Sequence, residues 1–232
     1  LSLHEKKGHL GITFRNKCPK NKHHMSKNDY STSYRDGLKQ KIIDTALPLF
    51  KENGIKAVKM DDIATILGIS KRTLYEIIGD KEHLLFECVK HDTEKQHAMF
   101  CEHARIAENE MDMLAFFLKM KLKDIGTVNP SYFTEMYKYD SIMDYLRKKG
   151  AEQRAQSIGF MKKGIEDGFF RDDLNYEIVH VMSDATISHV MQTEMYKRYD
   201  FKDIFRTFIF VHLRGCCTKK GLDYLEAFLA QE

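Results

Sequence analysis

GIKAVKMDDIATILGISKRTLYEIIGDK, residues 54–81, is the stretch on which the reading of this chain turns. Two short amphipathic segments flank Gly68-Ile69-Ser70. In the first, Ile63, Ala64 and Leu67 share one face of a helix expected over 60–67, and Asp61 and Asp62 fall in its first turn, where the helix dipole favours negative charge. Gly68 suits the left-handed position that ends a helix. Ser70 is placed to N-cap a second helix over 71–78, with Leu74 and Ile78 as its buried stripe. That leaves Lys71, Arg72, Tyr75 and Glu76 for another partner. Two helices joined by so tight a turn read as a helix-turn-helix, whose second helix offers its N-terminal residues to base edges in the major groove. Arg72 can pair bidentately with guanine, and Lys71 acts as a point charge. The Tyr75 hydroxyl, one turn on, reaches a phosphate, and Lys81 suits the flanking DNA backbone.

Working outward, Leu38, Ile42, Ala46, Leu49 and Phe50 mark one face of a helix expected over 35–53. Gly54 stops it, and Pro48 inside it removes a backbone bond to Asp44 and is expected to bend it. Asp80 is placed to N-cap a long helix whose inner face holds Leu84, Leu85, Cys88 and Val89. Helical patterns follow over 110–124, 131–148, 151–167, 174–197, 201–214 and 219–230, punctuated by Gly126, Gly150, Gly168 and Gly221. The chain reads as all-α: a polar leader over 1–34, a three-helix DNA-binding domain over 35–80, and a helical effector and dimerisation domain over 81–232.

Composition bounds the function classes. Hydrophobic residues make up 43% of the 232, enough for a sizeable core, and three prolines with no long alternating β-branched runs favour helix. No apolar run approaches the ~20 residues that span a bilayer. The basic N-terminus lacks the apolar core of a secretory signal, so a cytoplasmic location is expected. Five cysteines without a CxxC pair argue against a disulfide framework or zinc ribbon. Cys216 and Cys217 read as small buried residues, with a redox or soft-metal role as the alternative. The net charge is +3, but residues 1–24 carry +5 and the remainder −2. Residues 1–24 read as non-native, with Met25 the physiological start; the alternative is a basic arm that adds phosphate contacts. Within 59–81 four basic residues meet four acidic ones. Bulk charge therefore does not argue for nucleic acid; the positions of particular residues do.

At those positions the chain resembles the tetracycline-repressor (TetR) family of bacterial transcription regulators. The resemblance covers about residues 38–90: a first helix ending in LFKENGI, then DDIATILGISKRTLYEIIGDKEHLL. The family pattern is met by Ile63-Ala64, Gly68-Ile69-Ser70, Thr73-Leu74-Tyr75 and Lys81. It implies that Thr73, Tyr75 and Lys81 contact phosphates while Lys71 and Arg72 approach bases. Lys59 stands where the family usually has a capping threonine; it can replace the phosphate contact but not the cap. Ile77 replaces a common aromatic or histidine, and Ile78 a phenylalanine. The competing reading is that the charges merely solvate a surface helix.

The resemblance also implies a helical effector domain with a dimer interface built from its last long helices. Ile178, Met182, Ala185 and Met195 lie near one side of the helix expected over 174–197, and Phe201, Ile204, Phe205, Phe208 and Val211 enrich the next; Ile178, Met182, Ala185, Phe205 and Phe208 are the candidate interface residues. An ordinary monomer core is the alternative. Phe117, Met120, Phe133, Met136, Tyr137 and Phe160 could line an apolar effector cavity or belong to plain core. His180 and His189, on the interface helix, read as satisfied buried side chains. His97 and Cys101 are spaced i, i+4 without an evident third metal donor. No Gly-rich phosphate loop, HExxH or GxSxG occurs, so neither enzyme chemistry nor a cofactor is expected. The expected function is a one-component homodimeric regulator, a repressor released from palindromic operator DNA by a small-molecule effector. The alternatives are a DNA-bound architectural or protein-interaction factor and a helical enzyme.

Overall fold

The computed structural model describes residues 30–229. Among them are ten α-helices and one short 3-10 helix, and the only strand-like pairing is an isolated antiparallel bridge between Phe170 and Cys217. No helix is long and apolar enough to cross a membrane among the described residues. Most of the leader, and the expectations about Met25 and residues 1–24, lie outside the described residues.

Helix α1 (Tyr30–Asn53) begins five residues before the expected start at Arg35 and continues through Pro48. Ile42, Ala46 and Phe50, four apart, are fully buried. Helices α2 (Met60–Leu67) and α3 (Lys71–Ile78) have the expected bounds. Gly68 between them adopts φ 65°, ψ 28°. The amides of Gly68 and Ile69 return to the carbonyls of Thr65 and Ala64 at 3.1 and 3.0 Å. This double bond is the Schellman closure, which needs a left-handed residue and therefore favours glycine. Helix α4 (Lys81–His103) starts where Asp80 accepts the His83 amide at 2.7 Å.

Helices α1 to α4 enclose one apolar core, but they do not close it alone. Val128, Tyr132 and Ile142, from beyond α4, belong to the same buried cluster as Phe50, Ile63, Leu74 and Leu84. The reason is visible at the end of α1, whose last carbonyls need donors. Asn129 supplies two: its amide reaches Lys51 O at 2.7 Å and its side-chain nitrogen reaches Glu52 O at 3.2 Å. Asn129 also N-caps α6 (Pro130–Met136), and Glu135 of α6 accepts the Lys56 amide at 2.7 Å. A polar chain runs alongside: Lys51 pairs with Asp92 at 2.8 Å, Gln96 donates to both Asp92 and Asp124 at 3.2 Å, and Lys121 donates to Gln96 at 2.8 Å. It ties α1 and α4 to α5 (Glu110–Thr127). Burial lowers the pKa of the Lys121 ammonium.

Several expected boundaries move. The patterns over 131–148 and 151–167 do not form two helices divided at Gly150. The break comes at Tyr137–Tyr139, and α7 (Asp140–Glu166) runs through Gly150. A single glycine costs a helix interior only about 1 kcal/mol, which the packing of a long helix outweighs. Nor does one helix fill 174–197. Helix α8 (Tyr176–Gln192) ends first, Glu194 takes φ 52°, and a 3-10 turn covers Met195–Lys197. Likewise α5 continues past Gly126, and Gly221 lies inside α10 (Lys219–Leu229). Helix α9 (Phe201–Cys216) is N-capped by Asp200.

A second core joins Met111, Ala115 and Leu118 of α5 to Phe169, Phe170, Cys217 and Leu225. Gly221 is required there for space: a Cβ would stand 2.3 Å from the Phe169 carbonyl oxygen. Cys217 is buried, and burial pushes its thiol up to about 11, so a protonated core side chain is the state it holds.

Candidate nucleic-acid interface

The buried side of α3 is Leu74 and Ile78; Lys71, Arg72, Tyr75 and Glu76 are exposed on the other side. The helix start is locally determined. Ser70 Oγ accepts the Thr73 amide at 3.0 Å, and the Ser70 and Thr73 hydroxyls lie 2.8 Å apart. Lys59 is exposed at the N-cap of α2 and provides no side-chain cap, as expected for a side chain without an acceptor. Asp62 closes the other half of that arrangement by accepting the Lys59 amide at 3.2 Å. Ile77 packs partly buried against the core, so it serves the fold rather than the interface.

The cations of α3 do not stand alone. Lys71 Nζ lies 2.8 Å from Asp61 of α2, and this contact raises the lysine pKa. Arg72 Nε lies 2.7 Å from Glu76 one turn on. Arg35, from the start of α1, donates to the backbone carbonyl of Glu76 at 2.6 Å and so supports the last turn of α3. The partnerships of Arg35 and Asp61 were not foreseen from sequence. The Arg35 pair is 41 residues apart and carries no local pattern.

The charge order on α3 is unfavourable for the helix itself. Its first turn holds Lys71 and Arg72 and no acid, and Glu76 sits toward its C-terminus. Helix dipoles favour the reverse. Such an order is accounted for when an external polyanion meets the N-terminal end.

Lys81 opens α4 beside this face. Its ammonium is part-buried 3.4 Å from the Lys56 carbonyl, and desolvation lowers its pKa. A phosphate would restore the interaction that desolvation weakens. Lys81→Ala is expected to weaken binding to all duplexes alike and to reduce the slope of log K against log salt by about 0.9, one phosphate contact. Binding titrated between 50 and 200 mM salt checks this; an unchanged slope would remove Lys81 from the contact set.

The segment that builds this face matches a family model described as bacterial regulatory proteins, tetR family, over residues 42–88. Over those residues the chain matches the TetR family. The chain is 24% identical over 155 residues to the HTH-type transcriptional repressor KstR2 of Rhodococcus jostii, covering 63% of this chain and 74% of that one. KstR2 of Mycobacterium tuberculosis is 24% identical over 144 residues, covering 60% and 72%. Among solved structures, a putative transcriptional regulator from Saccharomonospora viridis in complex with choline has a TM-score of 0.61 at 18% identity, over 79% of this chain and 100% of that one. The complex of RolR with resorcinol has a TM-score of 0.54 at 18% identity, over 85% and 95%. At these identities the structures establish a shared fold, which extends well past the helix-turn-helix.

In the second half of the chain, the expected effector residues fall into separate groups. Phe133 and Met136 pack against the first core. Phe133 also stacks on Phe201 at 5.4 Å, and the Tyr137 hydroxyl lies 3.2 Å from Ser188 Oγ of α8. Phe160 belongs instead to the second core, 5.8 Å from Phe170. Met120 is half-buried, and Phe117 is exposed, with Lys121 Nζ 5.6 Å from its ring centre. The expected interface residues show a clearer pattern. Ile178 and Met182 are 56% and 59% exposed and Ala185 is exposed; Val181, not among the expected residues, is 59% exposed beside them, while the one buried residue of α8 is Val190. On α9, Phe205 and Phe208 are half-buried in a run of rings from Phe201 to His212, and Val211 is 65% exposed. Cys101 Sγ lies 3.8 Å from His97, and no third donor groups with them among the described residues.

Proposed function

We propose that this protein is a one-component transcriptional repressor that holds a palindromic operator as a homodimer and is released by a small-molecule effector. The observation that carries this is the outer face of α3, with Lys71 and Arg72 at its N-terminal turn and Lys59 and Lys81 exposed or part-exposed beside it. On this reading Lys71 and Arg72 approach base edges. Ser70 holds the start of the helix, and Thr73, Tyr75 and Lys81 face phosphates. The sign of regulation is supported by the curated relatives, which are named repressors.

The homodimer is supported by the apolar residues Ile178, Val181, Met182 and Ala185 at i, i+3, i+4, i+7 along α8, a continuous stripe left exposed by the single chain. On this reading a two-fold axis is needed to set two α3 helices about one DNA turn apart. A small organic effector is supported by structural neighbours solved with choline and resorcinol. Its seat is proposed in the half built from α5 to α9, where Phe133, Met136 and Tyr137 meet Phe201 and Ser188.

Release works by population shift. An effector that moves the dimer from 1:99 to 99:1 in favour of a non-binding form must prefer that form by about 5.5 kcal/mol. The network from Lys51 through Asp92 and Gln96 to Lys121 joins α1 and α4 to α5 and is the route proposed between the two halves.

The test is selection of bound duplexes from a random pool, followed by single-base variants of the winner. Arg72→Ala should cost about 1–3 kcal/mol at one operator position per half-site and relax base choice there. Equal loss on every duplex would show that Arg72 does not read a base.

A further inference from the structure

The Arg72–Glu76 pair is built against the stability of the helix that carries it. Arginine lies four residues before glutamate, the less favourable order for an i, i+4 pair, and Glu76 stands near the C-terminal end of α3, where the dipole opposes a carboxylate. Exposed pairs contribute little to folding in any case, and here Arg72 is 87% exposed and Glu76 59%. Arg35 bonds the Glu76 backbone carbonyl at 2.6 Å, which secures the last turn of α3 and leaves the Glu76 carboxylate to Arg72. The pair therefore calls for an explanation other than folding.

Its geometry supplies one. The carboxylate takes the Nε of Arg72. A guanidinium has two usable edges, and a carboxylate on Nε leaves the edge formed by the two terminal NH2 groups unengaged by that bond. That is the edge that forks onto guanine O6 and N7. Guanine offers neutral acceptors, so Glu76 can stay in place while Arg72 reads the base. A phosphate is an anion, and bringing it to the same guanidinium sets two negative charges against each other across Arg72. The carboxylate thus leaves guanine binding intact and opposes backbone binding. Asp61 stands in the same relation to Lys71, at 2.8 Å.

We propose that Glu76 is a specificity-determining residue, a fixed counter-charge that orients Arg72 for guanine and lowers its affinity for phosphate on non-operator DNA. This rests on α3 entering the major groove as proposed above.

The experiment uses the full chain as wild type, Glu76→Gln, Arg72→Ala and the double variant. The probes are the duplex selected from the random pool, its single-base variants at the Arg72-dependent position, and a scrambled duplex of equal length. Glutamine keeps the size and helix propensity of glutamate and removes the charge, so circular dichroism is expected to be unchanged. Glu76→Gln should tighten the scrambled duplex roughly three- to tenfold at low salt and steepen its salt slope by about 0.9, the signature of one added phosphate contact. Base preference at the Arg72-dependent position should fall by a similar factor. Both effects should vanish in the Arg72→Ala background. If Glu76→Gln leaves the scrambled-duplex slope unchanged, the filter is refuted. If its effect persists without Arg72, Glu76 acts on DNA independently of Arg72 and the proposal is again overturned. If Arg72→Ala changes binding to none of the duplexes, the groove reading fails together with it, whereas a strong Arg72 effect with a silent Glu76→Gln removes the filter alone.

Discussion

Glutamate at both Ile178 and Met182 is expected to convert the protein to a monomer of about 27 kDa and to remove tight operator binding while leaving the subunit folded. These side chains are 56% and 59% exposed, one turn apart on α8. A fully buried aliphatic side chain contributes about 1.5–3 kcal/mol, and a two-fold interface counts each substitution twice. Placing carboxylates there adds the larger cost of desolvating unpaired charges. The subunit itself loses little, because both positions already face water. Phe205 is the poorer site for this test: its ring is half-buried between Phe201 and Phe208 at 5.9 and 6.3 Å, so a charge there would also disturb the chain's own packing. A monomer that grips one half-site forfeits the effective concentration of the second, on the order of 10²–10⁴ in affinity. Sedimentation at micromolar protein with an operator titration checks both parts. A dimer that survives the double substitution would place the interface elsewhere.

Phe50→Ala should destabilise the protein by about 3–5 kcal/mol, the usual cost of emptying a phenylalanine site in a close-packed core. Phe50 is fully buried, and its cluster runs from Ile42 of α1 to Ile142 of α7. Against a total stability of about 5–15 kcal/mol this is a large fraction. The shared cluster determines the form of the effect as well. Val128, Tyr132 and Ile142 share one buried cluster with Phe50, Ile63 and Leu74, and Asn129 holds the end of the helix that carries Phe50. Urea unfolding followed by circular dichroism should show one transition moved to lower urea, with DNA binding lost over the same range. A helix-turn-helix that melted early, leaving the remainder at its original midpoint, would mean that the core is divided near residue 80 after all.

The functional segment was legible because its determinants are local. Ser70 caps α3 through an amide three residues away, Asp80 caps α4 in the same way, and Gly68 closes α2 onto carbonyls within five residues. These interactions need no distant partner, so residue type and spacing suffice to place them. Punctuation by glycine was the weaker guide. Gly68 is needed for its backbone angles, whereas Gly150 is simply carried by a helix long enough to tolerate it. The apolar positions were recognisable, but their grouping was not. Phe133 and Phe160 look alike along the chain and join different cores.

By itself the sequence determined the all-α class, the helix-turn-helix, the identity of the outward residues of α3 and the apolar stripe of α8. Each follows from helical periodicity or from a bond spanning a few residues. Only the tertiary structure decided which charges meet. Lys71 finds Asp61 across the turn, Arg35 reaches Glu76 from 41 residues away, and Asn129 closes α1 from the other half. Ion pairs and shared cores depend on through-space distance, and distance along the chain carries almost no information about that once helices pack against one another.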